Sequence, residues 1–363
     1  ELQSLRQPTV GDVSIAGVSC RLPGGGGGCG GAREYWNSLM VGACAAAEVP
    51  RERMDLRALY SADVGSVGKT YVTRASLIPD VDMFDAAFFG IRPAEACAID
   101  PQQRLLLEGI WEALESAGIA PTAVQDTTAG VYTGCSSSDY ARALVHAAAG
   151  GDGGFASSPS PSPSPSAVAI MANGPLAMTG MMGAASSGRL SFTYGFTGPS
   201  MTIDTACSSS LVATHLAVAA LNNRETDLAV VSGVHCLLAA EGFAGMCQMQ
   251  ALSQDGRCKT FDAAADGFGR GEGWAVCVLE RTSDKRARLS GNEMAIIRGT
   301  AVNHDGRSSG FTAPRGPAQE AVYAAALRRA GVAAARDVQV VEAHGTGTAL
   351  GDPIEVQSLA AVY

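Results

Sequence analysis

One stretch, Pro199–Val234, restricts the fold of this chain more than any other. PSMTIDTA reads as a strand, a short turn carries Cys207, and SSSLVATHLAVAALNN (Ser208–Asn223) reads as a helix apolar on nearly every face. TDLAVVSGV (Thr226–Val234) then reads as a second buried strand. A helix that is apolar all round needs cover all round, and near-continuous hydrophobic strands belong to parallel sheets covered on both faces. Strand, short turn, buried helix and strand together make a βαβ unit, so the chain is predicted to be an α/β protein.

Other segments fit that class. VSIAGVSC (Val13–Cys20) and GVYTGCS (Gly130–Ser136) read as strands, and DVQVVEAHG (Asp337–Gly345) as another. PQQRLLLEGIWEALESAG has helical periodicity, with Pro101 in the first turn and Gly118 as the stop. Asp352, Pro353 and Glu355 form a helix-start signature of cap, first-turn proline and acid at the third position. Residues 1–12 read as a linker, and 13–363 as one domain whose halves divide near residue 255. A glycine-rich loop (24–31) and a Ser/Pro-rich insertion (about 147–166) interrupt the domain; the insertion is expected to be extended and solvated. The glycine tract also satisfies GxGxxG at Gly25, Gly27 and Gly30. Homopolymer glycine matches that dinucleotide pattern by accident, and helix-like sequence resumes only near Arg33, so a loop is the expectation.

Composition narrows the function. With a formal charge of −9 and no basic stripe, the chain has nothing to neutralise a run of phosphates, which argues against nucleic acid as a partner. No apolar run reaches the length of a membrane span, and no signal peptide opens the sequence. The ten cysteines contain no CxxC and no Cys/His cluster with zinc-ligand spacing, so no metal is expected. Most thiols are expected to be small buried hydrophobes in a reducing compartment, cytoplasmic or organellar. A first residue of Glu1 rather than Met suggests a piece of a longer polypeptide.

Two residues stand out chemically. Cys207 lies where a strand turns into the buried helix, beside the unpaired N–H groups and the positive dipole end of that helix. Both favour thiolate over thiol, and the small neighbours Ala206, Ser208, Ser209 and Ser210 leave room for a substrate. His344 lies at a strand end and is followed by Gly-Thr-Gly-Thr. Backbone amides and the hydroxyls of Thr346 and Thr348 beside an imidazole suit a developing oxyanion and a polar substrate arm. His146, His215 and His235 are expected to be structural, His215 as a hydrogen-bonded core residue.

DTACSSSLVATHLA, EAHGTGTALGDPIE, FDAAADGFGRGEG, NHDGRSSGFTAPRGP and IDPQQRLLLEGIWEALESAGI together resemble the β-ketoacyl synthase family, specifically polyketide synthase ketosynthases. The likeness runs from about Val13 to Tyr363, broken only by the glycine tract and the Ser/Pro insertion. It implies a thiolase-like fold, two βαβ-rich halves in an αβαβα layering with the second half incomplete, normally as a homodimer. It also implies that Cys207 is the acyl-accepting nucleophile and that His344 assists decarboxylation of a malonyl extender and stabilises the enolate. Thr346 and Thr348 match residues near the phosphopantetheine arm of an acyl carrier protein, and Asp352 and Glu355 match acids that support the site. The reaction is acyl transfer to Cys207 followed by decarboxylative condensation, with the phosphopantetheine supplied by the carrier and no cofactor of the domain's own.

In the family, further sequence supplies a lysine, a second histidine and a glycine-rich oxyanion loop after the helix that begins at Asp352. His304, in NHDG, is not expected to replace that histidine. The expectation is therefore that the complete protein condenses, while residues 1–363 alone condense poorly, expose apolar surface and fold less stably. The rivals are a related acyltransferase that loads Cys207 without forming a carbon–carbon bond, and an inactive interaction or dimerisation module. The intact Cys207 counts against the second.

Overall fold

The computed structural model describes residues 12–25, 28–136, 139–148, 175–283 and 289–363, the side chains of 144–148 and 175 excepted. The linker up to Gly11, Gly27 of the glycine tract, most of the Ser/Pro insertion and the side chain of His146 lie outside the described residues. The strands are β1 (Val13–Arg21), β2 (Ala47–Glu48), β3 (Arg74–Ala75), β4 (Gly130–Cys135), β5 (Ser200–Ile203), β6 (Leu228–His235), β7 (Gly273–Arg281) and β8 (Ala295–Ile297). Six of them form one sheet in the order β5-β4-β6-β7-β1-β8, while β2 and β3 pair separately. β5 and β6 both run parallel to β4, which lies between them. From β6 outward the pairs β6–β7, β7–β1 and β1–β8 are antiparallel.

The expected βαβ unit is present: β5 leads into the helix Ser209–Asn222, and β6 returns on the far side of β4. Side chains alternate between faces, as a pleated strand requires. Val131, Val230, Val234, Val276 and Val278 turn into one core, shared with Leu106, Ile110 and Leu114 of the helix Pro101–Ala117. Tyr132, Ala229, Val231 and Leu279 turn the other way, onto Ala213, Ala217, Val218 and Leu221 of Ser209–Asn222. The sheet is thus buried on both faces. A third cluster, including Leu56, Val72, Leu237 and Phe243, sits under the segment that carries β2 and β3.

Two glycines set how closely the helices approach. A Cβ on Gly17 of β1 would lie 2.3 Å from the carbonyl oxygen of Ala113, in the helix Pro101–Ala117. A Cβ on Gly134 of β4 would lie 2.6 Å from the amide nitrogen of Ser210, at the start of the nucleophile helix. Pro101 and Gly118 act as the sequence predicts: Asp100 caps the helix through the Gln102 amide at 2.8 Å, and Gly118 ends it at φ +71°.

Three local expectations are corrected. Asp337–Gly345 forms no strand, and Val340 is 81% exposed. A strand needs lateral hydrogen-bonding partners, and no described strand lies beside this one, so its apolar pattern has nothing to pair with. The late helix spans Gly351–Val362 with Leu350 at the cap position and no side-chain cap. Asp352 lies inside its first turn, and its carboxylate is used elsewhere. The division near residue 255 also does not coincide with the sheet, because β7 and β8 follow it in sequence yet belong to the first sheet. Beyond β8, the helices Gly316–Arg329 and Gly351–Val362 pack on each other, with the Tyr323 and Tyr363 rings 6.2 Å apart. Phe311, Leu350 and Val356 in this part are exposed.

Candidate active site

After β5 the chain passes through Asp204 and Thr205 into a single tight turn, Ala206–Ser208, and then into the helix Ser209–Asn222. Ala206 takes φ +54°, a left-handed conformation that disfavours a side chain by about 1–2 kcal/mol. Side-chain bonds hold it there. The Asp204 carboxylate accepts the Ala206 amide at 3.0 Å and the Ser136 hydroxyl at 3.2 Å. The Ser209 hydroxyl accepts the Thr205 amide at 2.9 Å and donates to the Ala206 carbonyl at 2.7 Å. The Ser208 hydroxyl lies 2.9 Å from both the carbonyl and the hydroxyl oxygen of Thr205. The turn leaves the Cys207 thiol exposed at the head of the helix, and Ser208 makes no side-chain cap on the helix amides.

His344 is also exposed, at the head of the Gly-Thr-Gly-Thr loop. Gly345 and Gly347 adopt φ +53° and +74°, which turns successive amides inward. Glu355 accepts the amides of His344 at 2.6 Å and Gly345 at 2.8 Å, one on each carboxylate oxygen. Asp352 accepts Gly347 at 3.0 Å and Phe261 at 2.7 Å. The two acids therefore staple the loop from the first turns of the following helix instead of capping it. The Thr346 and Thr348 hydroxyls are 3.1 Å apart.

Among the described residues no hydrogen bond joins Cys207 to His344. The His344 loop is held by a strap, residues 253–272. At one end Thr260 donates to the Gly345 carbonyl at 2.6 Å, and the Gly267 amide donates to the Gly347 carbonyl at 2.9 Å. At the other end the strap leads through Arg270 into β7. Arg270 Nη2 lies 3.3 Å from His235 Nε2 at the end of β6. Burial, reinforced by Arg270, pushes the His235 pKa down to about 4, so the ring is neutral near pH 7.

Sequence reasoning missed the contact of Arg270 with His235, although FGRGEG carries a usable signal: a cation flanked by glycines on the threshold of a buried strand. It also missed Asp204 and Ser209, whose part in the turn depends on contacts that spacing does not show. His215 bonds Thr300 at 2.7 Å, as expected of a core histidine, and burial followed by Arg329 lowers its pKa. Among the described residues His304 accepts only the nearby Gly306 amide, at 2.9 Å. Of the ten cysteines, none is paired, and five are buried: Cys20, Cys29, Cys135, Cys236 and Cys247.

Residues 11–285 match the β-ketoacyl synthase N-terminal domain, and residues 294–363 the β-ketoacyl synthase C-terminal domain. The chain is similar to the phenolphthiocerol synthesis polyketide synthase type I Pks15/1 of Mycobacterium bovis, at 44% identity over 363 residues, which covers 100% of this chain and 16% of that protein. It is 44% identical over 355 residues to erythronolide synthase EryA2 of Saccharopolyspora erythraea, covering 97% of this chain and 9% of that one. Among solved structures it resembles the ketosynthase from module 6 of the bacillaene synthase from Bacillus subtilis 168, with a TM-score of 0.81 at 33% identity, covering 97% of this chain and 54% of that chain. The oxazolomycin ketosynthase domain of Streptomyces albus JA3453 gives a TM-score of 0.84 at 32% identity, covering 97% of this chain and 56% of that one.

Proposed function

The chain belongs to the β-ketoacyl synthase family, with the thiolase-like fold of polyketide synthase ketosynthase domains, and from that premise we propose that it serves carbon–carbon bond formation in polyketide assembly. The observation that carries this is the exposed Cys207 at the head of a buried helix, on a turn held in a strained conformation by three neighbouring side chains. A nucleophile presented on a fixed element needs little rearrangement before attack.

The Cys207 thiolate attacks the thioester carbonyl of an acyl chain on a carrier protein. The carbonyl carbon–sulfur bond to the carrier breaks, and the carrier thiolate leaves. A malonyl-carrier thioester then loses carbon dioxide, its enolate attacks the acyl-enzyme carbonyl, and Cys207 leaves as thiolate, giving a 3-oxoacyl carrier thioester. His344 stands beside the developing enolate oxygen, and Thr346 and Thr348 offer hydroxyls to the phosphopantetheine arm. Asp352 and Glu355 serve the chemistry indirectly, by fixing the loop from which His344 projects. The arm belongs to the carrier partner, and no cofactor of the domain's own enters the scheme.

A homodimer is supported by the outer edge of β5, which carries exposed Met201 and has no neighbouring strand among the described residues. Ten unpaired thiols fit a reducing compartment, cytoplasmic or organellar.

The test is peptide mass spectrometry after incubation with an acyl thioester, comparing the chain with Cys207→Ala. An acyl adduct on the Cys207 peptide, absent from the variant, is the expected result. A folded sample with no adduct would overturn the assignment of Cys207 as the acyl acceptor.

A further inference from the structure

The strap that holds the His344 loop is itself drawn together by one side chain. Its base is closed by backbone bonds: the Ser253 amide donates to the Phe268 carbonyl at 3.0 Å, and the Phe268 amide to the Ala251 carbonyl at 3.0 Å. Inside that base lies Lys259. An ammonium has three donors, and three acceptors surround this one: Ser253 Oγ at 2.7 Å, Asp255 Oδ1 at 3.0 Å and Asp266 Oδ1 at 2.6 Å. Ser253 is fully buried, and its hydroxyl donates to Asp255 at 2.8 Å. The Ser253 hydroxyl, with Lys259, holds the Asp255 carboxyl down at about 2, so this acceptor is charged at neutral pH.

The pair Lys259–Asp266 stands where the strap meets the loop. Thr260 follows Lys259 and Gly267 follows Asp266, and these two residues supply the donors to the Gly345 and Gly347 carbonyls. The carbonyls are two positions apart in sequence, whereas the donors are seven positions apart. The ion pair closes the inner loop 259–266 and so fixes the spacing of the donors at its two ends. Loop and strap are in close contact there, since a Cβ on Gly347 would lie 2.8 Å from the Lys259 amide nitrogen. Phe261 takes φ +61°, and its amide donates to Asp352 at 2.7 Å. A phenylalanine keeps that left-handed conformation only where its surroundings over-determine it. Lys259 constrains the chain on one side of it and Asp352 on the other.

We propose that Lys259 is a positioning residue for His344: its ammonium closes the inner loop of the strap, and the closed loop fixes the Gly-Thr-Gly-Thr turn from which His344 projects. This rests on His344 assisting decarboxylation. Glu355 and Asp352 hold the same turn through its amides, while the strap holds it through its carbonyls. The turn is thus gripped from two sides. Ion pairs as exposed as these contribute little stability singly, with Asp255 50% exposed and Asp266 40%. Their effect is on geometry. A turn released on the carbonyl side keeps its bonds to Glu355, yet it no longer has one place for the imidazole.

Urea unfolding tests the point without substrate, in a cycle of four proteins: the parent, Lys259→Met, Glu355→Gln and the double variant. Sites that share no partner add their effects. Here both supports act on one turn, so the midpoint shift of the double variant is expected to fall clearly short of the sum of the two single shifts. Additive shifts would overturn the proposal. Should Lys259→Met fail to fold, Asp266→Asn takes its place in the cycle, with the same two outcomes. Carbon dioxide release from a malonyl thioester of pantetheine reads the step given to His344. It is expected to fall about fivefold in Lys259→Met, the upper end for exposed ion pairs, with acyl adduct formation on Cys207 unchanged. Lys259→Arg, which keeps the charge, is expected to recover most of that loss. An equal fall in both steps, unrelieved by Lys259→Arg, would mean a general loss of structure and would sink the proposal. A parent that releases no carbon dioxide would instead count against the role of His344, and the unfolding cycle would still decide on Lys259.

Discussion

At Ala206 the backbone is held against its own preference, and Ser209 does most of the holding. One hydroxyl accepts the Thr205 amide and donates to the Ala206 carbonyl, so Ser209→Ala removes two bonds at once. A loss of about 1–3 kcal/mol is expected in urea unfolding, together with slower acylation of Cys207. Gly134 is a sharper case, because the atoms a Cβ would strike are backbone atoms of Ser209 and Ser210 that cannot swing aside. Gly134→Ala is expected to destabilise by about 1–3 kcal/mol and to slow acylation by shifting the head of the helix. Gly245 supplies the control: it lies within the helix Glu241–Gln248 with nothing inside 4 Å of a Cβ, so Gly245→Ala is expected to be neutral or to stabilise by up to about 1 kcal/mol. The position of Cys207 was legible from sequence because strand, turn and helix are contiguous. The contact of Arg270 with His235 was not, because a helix and an irregular segment separate the two in sequence.

At the scale of elements, the late helix is where sequence and structure part. Asp352, Pro353 and Glu355 spell a helix start, and a helix does start there, but the acids face the loop before them. Capping is a local rule that spacing can reveal. The bond from Asp352 to the Phe261 amide spans 91 residues and depends on the finished fold. The missing strand at Asp337–Gly345 has the same origin, since hydrophobic pattern reports a residue's preference and not the presence of a neighbour to pair with. The long helix Pro101–Ala117 was legible to its ends because its cap, first-turn proline and terminal glycine all lie within it or next to it. Glu355→Gln replaces one acceptor oxygen with a donor facing an amide, so the His344–Gly345 corner should come loose. A loss of about 1.5–3 kcal/mol is expected in thermal or urea unfolding. Condensation should fall sharply while iodoacetamide still alkylates Cys207 at the parent rate, because the nucleophile turn is not touched.

For the molecule as a whole, His235 couples folding to pH. Its pKa is about 4 folded and near 6.5 unfolded, so between these values the unfolded chain binds more protons. Stability therefore falls as pH drops from about 6.5 toward 4, by up to about 3 kcal/mol from this group. Asp139 and Glu272, both raised by burial, act in the opposite sense, so the measurement is a difference. Urea midpoints at pH 7 and pH 5 should separate more for the parent than for His235→Gln. The strap from 253 to 272 has a further consequence. Four amides of the loop and strap, those of Phe261, Gly267, Gly345 and Gly347, are each bonded to an acceptor on a different segment from their own. None can be released singly without loosening the others' supports. In deuterium exchange these four should lose protection together, with one opening free energy, as a single cooperative unit whose melting precedes that of the sheet.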